Sequence, residues 1–499
     1  MNQLLQQLEE RAGSSPESVV LETADRAMNV SELLALLQEV NFELKAGGFQ
    51  TVALYADNSP EWVVVDLACQ IQGICLIPLP TFFTSRQISH VLQSAGVDLL
   101  IYQENLDGCV ADNIKASASI IPLLPSLQAL PLIAAPGARV PHGTSKITFT
   151  SGSTGEPKGV CLSFEQCLNV ARSLARATGL KSPRHLCVLP LPVLLENIAG
   201  IYAPLLVDGS ILTVPLHDLG FSGSSGVDPM KFLAALSHYQ PNTLILVPQL
   251  LAVLDVALAM GWEAPESLDF IAVGGARVAE SLVQRLRARG LPVYEGYGLS
   301  ECASVVSVNS PAHDGPGTSG KVLSHLRVVD QGGQLRVLGN AFLGYLNEPD
   351  SWYPEFVDTG DIGSVDDNGF VTIEGRQKNL LINSYGRNIS PEWVESELAG
   401  AGVFRQVVVF GDSRPYCTAL IYPIDENCTD TAIELAINEV NSRLPDYASI
   451  GAWTRLPRPL TSADGLLTAN GRPRRDHIER AYGHLIESLY PHTEEMKAL

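Results

Sequence analysis

The segment 147–160 constrains this chain more than any other stretch. An apolar, strand-like run ends at Phe149, and hydroxyl side chains then alternate with glycines up to a single cation, Lys158. Glycines let backbone N–H groups approach an anion, hydroxyls donate further hydrogen bonds, and a lysine supplies a point charge. The segment therefore predicts a phosphate-binding loop, and its candidate ligands are Thr150, Ser151, Gly152, Ser153, Thr154, Gly155 and Lys158.

A Walker A loop is the obvious alternative for such a segment, and it requires G-x-x-x-x-G-K-[ST]. Counting from Gly152 puts Pro157 where the second glycine should be and Gly159 where the Ser or Thr should be. A kinase-type ATPase, which would release ADP, is therefore disfavoured. A flexible Gly/Ser loop between a strand and a helix is the plain structural alternative.

Residues 150–159, with the letters T-S-G-S-T-G-E-P-K-G, resemble the T-S-G-[ST]-T-G-x-P-K-G signature of the AMP-forming adenylating superfamily. Acyl-CoA synthetases, fatty acyl-AMP ligases, peptide-synthetase adenylation domains and luciferases share that signature. The resemblance covers roughly residues 50–480 in the family's order of motifs, and it looks closest to the medium- and long-chain acyl-CoA synthetases. It implies ATP as a substrate and AMP as a product.

Length, charge and cysteine content exclude several classes of protein. A chain of 499 residues can hold several domain-sized cores. Its net charge of −21 speaks against a nucleic-acid partner and against a basic membrane-surface protein. The N-terminus lacks the pattern of a signal peptide, and no run approaches the roughly 18 apolar residues of a transmembrane helix. Nine cysteines without a C-x-x-C pair indicate a reducing, cytoplasmic location and no zinc site.

The pattern of apolar runs predicts an α/β fold. Residues 51–55, 61–72 and 74–78 form a strand–helix–strand unit, and Ser163 with Gln166 forms a capping-box pattern for a helix to about residue 177. Further strand and helix signals follow at 242–247 and 248–260, at 270–273 and 278–289, and at 292–294. Such repeats predict a mostly parallel sheet with helices on both faces.

The length and spacing of the apolar segments change near residue 320. Short segments broken by Gly, Asn and Asp between 321 and 375 predict antiparallel hairpins or a small β-barrel-like part. A new block of strands and helices begins after Arg376. We therefore expect a large N-terminal adenylating domain, 1–376, with the ATP and acid sites, and a small mobile α+β C-terminal lid domain, 377–499. By resemblance, the hinge between them lies near Lys378.

Two glycine-containing segments add candidate nucleotide ligands. Residues 273–277 follow a strand and are expected to open a helix, where the backbone of Gly274, Gly275 and Ala276 would meet a flat or anionic ligand. Residues 294–302 resemble the family's [YF]-G-x-[ST]-E segment, which implies that Tyr297 stacks on adenine and Ser300 contacts the α-phosphate. Glu301 would hold Mg²⁺, although a solvated loop carboxylate is the plain alternative. Glu295, Gly296 and Gly298 belong to the same candidate site.

Two later motifs resemble the family's ribose-binding and thiol-channel segments. Asp361, in D-T-G-D, and Arg376, in E-G-R, would hold the ribose hydroxyls. The loop around Gly386 resembles the segment that lines the thiol channel after the small domain has pivoted, and Gly386 would let the pantetheine arm pass close to the backbone.

One position departs from the family pattern. Residues 467–475 resemble the C-terminal L-T-x-x-G-K-x-x-R segment, in which the lysine bridges carboxylate and ATP oxygens, and this chain has Arg472 there. A planar guanidinium fork does not replace a compact ammonium conservatively. Three alternatives follow. Arg472 replaces the lysine at a reduced rate of adenylation, a neighbour such as Arg474 takes over its role, or the first half-reaction has been lost.

The acid pocket is expected around residues 189–202. Amino-acid-activating relatives place an aspartate where this chain has Val193, and an unpaired ammonium in an apolar pocket would be costly. Val193, Leu194 and Ile198 therefore favour an apolar acid, and we expect a fatty acid. Ordinary helix packing is an equally good explanation of the same residues.

Together, these observations predict an acid–thiol ligase. Lys158, Glu301 and Arg472 are its catalytic candidates, ATP and Mg²⁺ its cofactors, and coenzyme A or the phosphopantetheine of an acyl carrier protein its thiol. The alternative is a pseudoenzyme that binds acyl-AMP but adenylates poorly because of Arg472.

Overall fold

The computed structural model describes residues 3–103, 121–151, 157–222, 226–468 and 471–490. Up to Arg376 the chain forms two large mixed sheets and a four-stranded antiparallel sheet, and a smaller part with its own three-stranded sheet follows. The predicted fold class, a large α/β part followed by a smaller α+β part, is confirmed.

The strands of the first third of the chain are β1 (Val19–Glu22), β2 (Ala27–Asn29), β3 (Thr51–Tyr55), β4 (Cys75–Pro78), β5 (Leu99–Gln103), β6 (Ile121–Leu124), β7 (Leu127–Pro131), β8 (Lys146–Ser151) and β9 (Pro157–Leu162). The strands that complete the large part are β10 (Arg184–Cys187), β11 (Ser210–Thr213), β12 (Phe221–Ser222), β13 (Gly226–Val227), β14 (Thr243–Leu246), β15 (Phe270–Val273), β16 (Val293–Tyr297), β17 (Ser307–Val308), β18 (Lys321–Val322), β19 (Arg327–Gln331), β20 (Gln334–Leu338), β21 (Gly344–Tyr345), β22 (Phe356–Val365) and β23 (Val371–Arg376). The small part contains β24 (Leu381–Ile382), β25 (Asn388–Ile389), β26 (Phe404–Phe410), β27 (Cys417–Pro423) and β28 (Ile450–Arg455).

The α-helices are α1 (Gln3–Ser14), α2 (Val30–Gly47), α3 (Pro60–Gln72), α4 (Ser85–Ser94), α5 (Phe164–Thr178), α6 (Ala203–Leu205), α7 (Pro229–Tyr239), α8 (Pro248–Ala259), α9 (Glu280–Ala288), α10 (Pro391–Ala399), α11 (Asp430–Asn441) and α12 (Arg475–Ser488). A π-helix spans Glu196–Tyr202, and 3₁₀ turns lie at Ser300–Cys302, Pro349–Ser351, Gln377–Asn379 and Asp446–Ala448. Within the described ranges, no helix combines the length and the apolar character needed to cross a bilayer.

Parallel pairing occupies the centre of both large sheets. The first has the order β21-β9-β8-β4-β3-β5-β7-β6, with parallel pairs from β8 to β5. The second has the order β18-β17-β16-β15-β14-β10-β11-β1-β2, with parallel pairs from β16 to β1. The predicted parallel βα units are therefore present, but in two sheets whose edge strands are antiparallel rather than in one. The hairpins expected before residue 376 form the antiparallel sheet β19-β20-β22-β23.

Local signals define the helix that follows the phosphate-loop region. Ser163 accepts a hydrogen bond from the backbone of Gln166, whose side chain accepts one from the backbone of Ser163, so the predicted capping box is confirmed. Gly179 adopts a left-handed conformation, φ 65°, and ends α5.

The segment between the phosphate loop and α5 differs from expectation. Residues 157–162 form strand β9, which pairs antiparallel with β8 on one side and with β21 on the other. The predicted phosphate loop therefore connects two adjacent antiparallel strands rather than a strand and a helix. Antiparallel pairing from distant β21 provides the stabilisation that the local sequence P-K-G does not.

A fully buried polar cluster ties strand β8 to its neighbours. The Lys146 ammonium donates to Asp66 Oδ1 (2.7 Å), to the Tyr202 hydroxyl (2.8 Å) and to Asn197 Oδ1. Tyr202 and Asn197 donate in turn to Asp66 Oδ2, at 2.6 Å and 3.1 Å. All three ammonium protons and both carboxylate oxygens are thus satisfied, which is what a charge pair with 0% exposed side chains requires.

Replacing Lys146 by Met should destabilise the fold strongly. The substitution leaves Asp66 charged and unpaired in the core, and we expect a loss of about 3–5 kcal/mol in the free energy of unfolding, measured by chemical denaturation. The exposed Lys181→Met variant is the matched control and should change stability by less than about 0.5 kcal/mol. A loss of under about 1 kcal/mol for Lys146→Met would contradict a structural role of the charge pair.

Candidate functional site

The antiparallel pairing of β8 and β9 brings the first and last polar residues of the phosphate loop together. Thr150 lies opposite Lys158, and Ser151, the last residue of β8, lies opposite Pro157. Gly152, Ser153, Thr154 and Gly155 lie outside the described residues. The half-exposed Lys158 ammonium pairs with Glu348 Oε1 at 2.9 Å and lies 5.0 Å from the centre of the Tyr345 ring.

The turn that carries Glu301 follows strand β16. Ser300, Glu301 and Cys302 form the 3₁₀ turn, and Glu301 Oε1 accepts a hydrogen bond of 2.9 Å from the Tyr345 hydroxyl. Gly298 precedes the turn, where a Cβ atom would lie only 1.6 Å from the carbonyl oxygen of Ser304. The backbone of this loop therefore requires glycine at position 298. Burial raises the pKa of the Cys302 thiol, so it stays protonated, in keeping with a packed side chain.

Asp361 and Arg376 lie opposite each other on strands β22 and β23. Arg376 Nε pairs with Asp361 Oδ1 at 2.8 Å, and the Tyr297 hydroxyl donates to Asp361 Oδ2 at 2.5 Å. Burial raises the pKa of Asp361 despite the nearby Arg376 charge. Sequence motifs more than sixty residues apart thus converge at one carboxylate, since Tyr297 and Asp361 are separated by 64 positions.

The Gly-Gly-Ala loop also lies beside β16. Gly274 is packed so closely that a Cβ atom would be 3.1 Å from the carbonyl oxygen of Gly296, and Gly275 adopts a left-handed φ of 82°. Gly275 and Ala276 are exposed. The expectation that this segment opens a helix is wrong, because α9 begins only at Glu280. These residues therefore lie in a loop before the helix, where the Gly274 N–H donates to the carbonyl oxygen of Leu246 at 3.2 Å.

Arg472 reaches this loop from the small part of the molecule. Its Nη2 donates to the carbonyl oxygen of Gly275 at 2.5 Å. Desolvation and, next, the like charge of Arg376 lower the pKa of Arg472, while Asp361 opposes the shift. The residue that departs from the family pattern thus lies beside the Asp361–Arg376 pair.

Further contacts hold the small part against the large one. Arg285 donates to the carbonyl oxygen of Gly400 at 2.7 Å. The Arg277 guanidinium lies 5.9 Å from the centre of the Trp393 ring of the small part, while it donates to the carbonyl oxygen of Ile373 within the large part at 2.8 Å. These contacts, with that of Arg472, define the arrangement of the two parts.

The other arginines near position 472 differ in their engagement. Arg475 pairs with Glu392 at 3.2 Å and with Glu395, within the small part, so its charge is already neutralised. Arg474 immediately precedes helix α12. Of these three arginines, Arg472 is therefore the one whose side chain contacts the large part, whereas Arg475 pairs within the small part.

Glu295 is a partly buried carboxyl in the middle of strand β16. Desolvation raises its pKa to about 7, against the opposing effects of a 2.9 Å hydrogen bond from Ser319 and of the Arg277 charge. A carboxyl of this kind changes charge near neutral pH.

The three predicted pocket residues differ in burial. Val193 is half-buried, whereas Leu194 (5% exposed) and Ile198 (fully buried) pack into the main hydrophobic core. The segment that carries them is anchored by Glu196, which accepts from the backbone of Leu189 (3.1 Å) and pairs with the His185 ring (2.8 Å). Their assignment to an acid pocket stays a prediction.

The predicted hinge and thiol-channel residues lie on the small part's side of the site. Lys378 is exposed in the 3₁₀ turn that follows strand β23. Gly386 lies at the exposed tip of the β24–β25 hairpin with a left-handed φ of 74°.

Sequence reasoning missed two residues of the site. Tyr345 and Glu348 contact Lys158 and Glu301, yet their segment has no apolar periodicity, and its Asn-Glu-Pro turn is an ordinary loop signal. The pairing of β21 with β9 brings them beside Lys158.

Two family models match the chain. Residues 8–346 match the model of the AMP-binding enzyme, and residues 378–494 match that of the AMP-binding enzyme C-terminal domain. Among similar proteins, the long-chain-fatty-acid–CoA ligase FadD15 of Mycobacterium bovis is 24% identical over 91% of this chain and 90% of its own length.

Solved structures share the fold. The anthranilate CoA ligase AuaEII in complex with anthranoyl-AMP superposes with a TM-score of 0.79 at 19% identity, over 96% of this chain and 97% of that one. The o-succinylbenzoate CoA synthetase of Bacillus subtilis, with ATP and a magnesium ion, has a TM-score of 0.73 at 23% identity, over 94% and 98%.

Glu295 should make stability depend on pH. Between about pH 4.5 and 7 the folded protein keeps a proton that the unfolded chain has released, so the free energy of unfolding should fall as the pH rises through this window. We expect Glu295→Gln to remove about 2–3 kcal/mol of this change, measured as denaturation curves at several pH values. The exposed Glu355→Gln variant should retain the wild-type slope, and an unchanged slope in Glu295→Gln would contradict the assignment.

Proposed function

The chain belongs to the AMP-binding enzyme family, and from that premise we propose that it is an AMP-forming acid–thiol ligase. It activates a carboxylic acid with ATP to an acyl-AMP, releases pyrophosphate, and passes the acyl group to the thiol of coenzyme A. CoA ligases among its relatives support this function. The observation that carries it is the contact of Arg472 with Gly275 beside the Asp361–Arg376 pair.

In the first half-reaction a carboxylate oxygen attacks the α-phosphorus of ATP. The new O–P bond forms as the bond to pyrophosphate breaks, and no proton has to move. Lys158, Arg376 and Arg472 are the cations available to stabilise the negative charge, in a chain whose net charge is −21. Catalysis therefore depends on positioning and on local positive charge fixed in place before the reaction.

The residues around Glu301 fit a magnesium ion. Its carboxylate is a hard oxygen donor of the kind that Mg²⁺ prefers, and Ser300 in the same 3₁₀ turn carries a hydroxyl oxygen. One Glu301 oxygen accepts a hydrogen bond from Tyr345, as metal-ligating carboxylates commonly do. When bound, the ion would neutralise charge on the triphosphate.

In the second half-reaction the thiol sulfur attacks the acyl carbon. A C–S bond forms, the C–O bond to AMP breaks, and the thiol proton passes to solvent. This step would use the hairpin that carries Gly386 after a rotation about Lys378, with the domain boundary between residues 376 and 377. We take coenzyme A as the thiol because the named relatives are CoA ligases, and a carrier-protein phosphopantetheine is the alternative.

The acid is proposed to be a fatty acid. Val193 offers no charge to pair with a substrate ammonium, and FadD15 is named for long-chain fatty acids. Aromatic acids are the competing class, since other relatives are named for 2-succinylbenzoate and feruloyl substrates.

An AMP-release screen tests this function. With fatty, aromatic and amino acids, each with and without coenzyme A, we expect AMP formation with fatty acids, accelerated by coenzyme A because the thiol clears the acyl-AMP. Hydroxamate trapping identifies the activated acid. A preference for aromatic or amino acids would refute the fatty-acid assignment, and ADP as the product would refute adenylation itself.

Arg472 should contribute to adenylation rather than block it. We expect Arg472→Ala to lower acid-dependent pyrophosphate exchange by about 100-fold, since it removes one preorganised charge. Arg472→Lys keeps the charge and should lose far less, and Arg480→Ala, on the exposed face of α12, is the control.

A specific outcome would favour the second candidate function. If the wild-type protein shows no exchange with any acid while Arg472→Lys does, the chain is an acyl-AMP-binding pseudoenzyme whose adenylation Arg472 has impaired.

A further inference from the structure

The segment 342–348 connects the two walls of the candidate nucleotide site. Leu343 and Leu346 donate backbone hydrogen bonds to Cys161 and Gly159 of β9, at 2.9 and 2.8 Å. Phe342 donates to the carbonyl oxygen of Glu301 at 2.8 Å. One short segment is thus bonded both to the strand of Lys158 and to the turn of Glu301.

Tyr345 is fixed within this segment by several contacts. Its N–H donates to Ser351 Oγ (2.8 Å), and its carbonyl oxygen accepts from the Trp352 indole (3.0 Å). Its ring packs edge-on against Phe342, with ring centres 4.8 Å apart. Two hydrogen bonds thus fix the backbone of Tyr345 and one ring contact supports its side chain, so the residue can hold its neighbours in a defined geometry.

The hydroxyl and the ring of Tyr345 contact different residues of the candidate site. Its hydroxyl donates to Glu301 Oε1 at 2.9 Å, and its ring lies 5.0 Å from the Lys158 ammonium. Glu348 completes the arrangement by pairing with Lys158 at 2.9 Å.

We propose that Tyr345 is a positioning residue for the metal-bound triphosphate: its hydroxyl orients the Glu301 carboxylate, and its ring supports the Lys158 ammonium, which Glu348 holds until a phosphate takes its place. This inference rests on the proposed use of ATP by the site. Tyr345 would act through its contacts with Glu301 and Lys158 rather than on the reacting atoms.

The Lys158 ammonium needs both the Tyr345 ring and the Glu348 carboxylate to stay in place. A lysine ammonium is flexible and strongly hydrated, and a cation near an aromatic face gains only a modest attraction. With both side chains 45% exposed, the Lys158–Glu348 pair is weak enough for a triphosphate to displace. A ring below and a carboxylate beside the ammonium keep it near the loop without neutralising it permanently.

Calorimetric titration with ATP over a series of Mg²⁺ concentrations, with no acid present, tests the proposal. Tyr345→Phe keeps the ring and loses the hydroxyl. We expect this variant to need about tenfold more Mg²⁺ than the wild type to reach half of the maximal increase in ATP affinity. AMP binding without metal should not change. Tyr353→Phe, an exposed tyrosine eight positions along the chain, is the matched control and should behave as wild type.

Glu348→Gln should act in the opposite direction. Without its carboxylate partner Lys158 is free for the triphosphate, and we expect ATP to bind about two- to fivefold more tightly, with or without Mg²⁺. A variant that merely disturbed the segment would weaken binding instead.

Two outcomes would overturn the proposal. One is a wild-type Mg²⁺ dependence in Tyr345→Phe; the other is a parallel loss of AMP binding, which would indicate a purely structural role. Unchanged or weaker ATP binding in Glu348→Gln would overturn the part that concerns Lys158. Because these measurements need no turnover, they stand even if no acid is adenylated, and failure of the proposed function is seen separately in the AMP-release screen.

Discussion

The buried Asp66–Lys146 pair is the interaction on which the geometry of the site depends. A charge pair with no exposed surface is stable only when every lone pair and proton has a partner, and here Asn197 and Tyr202 provide them. Those partners lie on the π-helix, whereas Lys146 begins the strand that leads to the phosphate loop. The pair therefore fixes the predicted acid-pocket segment against the phosphate-loop strand, and geometric specificity is its clearest benefit.

Contiguous motifs could be recognised from sequence, and pairing between distant segments could not. Thr150 with Lys158, and Asp361 with Arg376, fall within recognisable motifs, and the hairpins β8–β9 and β22–β23 place each pair directly opposite. Tyr345 has no such local signal. Its role follows from a two-residue strand that pairs with β9 from nearly two hundred positions away, and loop closure over that distance leaves no trace in local composition.

The same limit explains the other differences from expectation. Strand β9 has a weak local propensity and exists because it is paired on both sides. Helix α9 begins at Glu280 rather than at the Gly-Gly turn, and the intervening loop is what leaves the Gly275 carbonyl free for Arg472. The buried cluster around Lys146 combines residues that, taken singly, resemble ordinary surface polar residues. Periodicity identified the elements, but tertiary contacts decided their ends.

Some residues of the candidate site are fixed by sheet pairing, and others depend on how the small part of the molecule packs against the large part. Thr150, Lys158, Asp361 and Arg376 are fixed by ladders of backbone hydrogen bonds. Arg472, in contrast, joins them through a hydrogen bond to the Gly275 carbonyl, near the like charge of Arg376. A phosphate beside both guanidinium groups would turn that repulsion into shared attraction. Bound nucleotide would then stabilise the contact between Arg472 and the Gly275 loop, and that contact would stabilise the bound nucleotide by the same free energy, because the linkage between two equilibria is reciprocal.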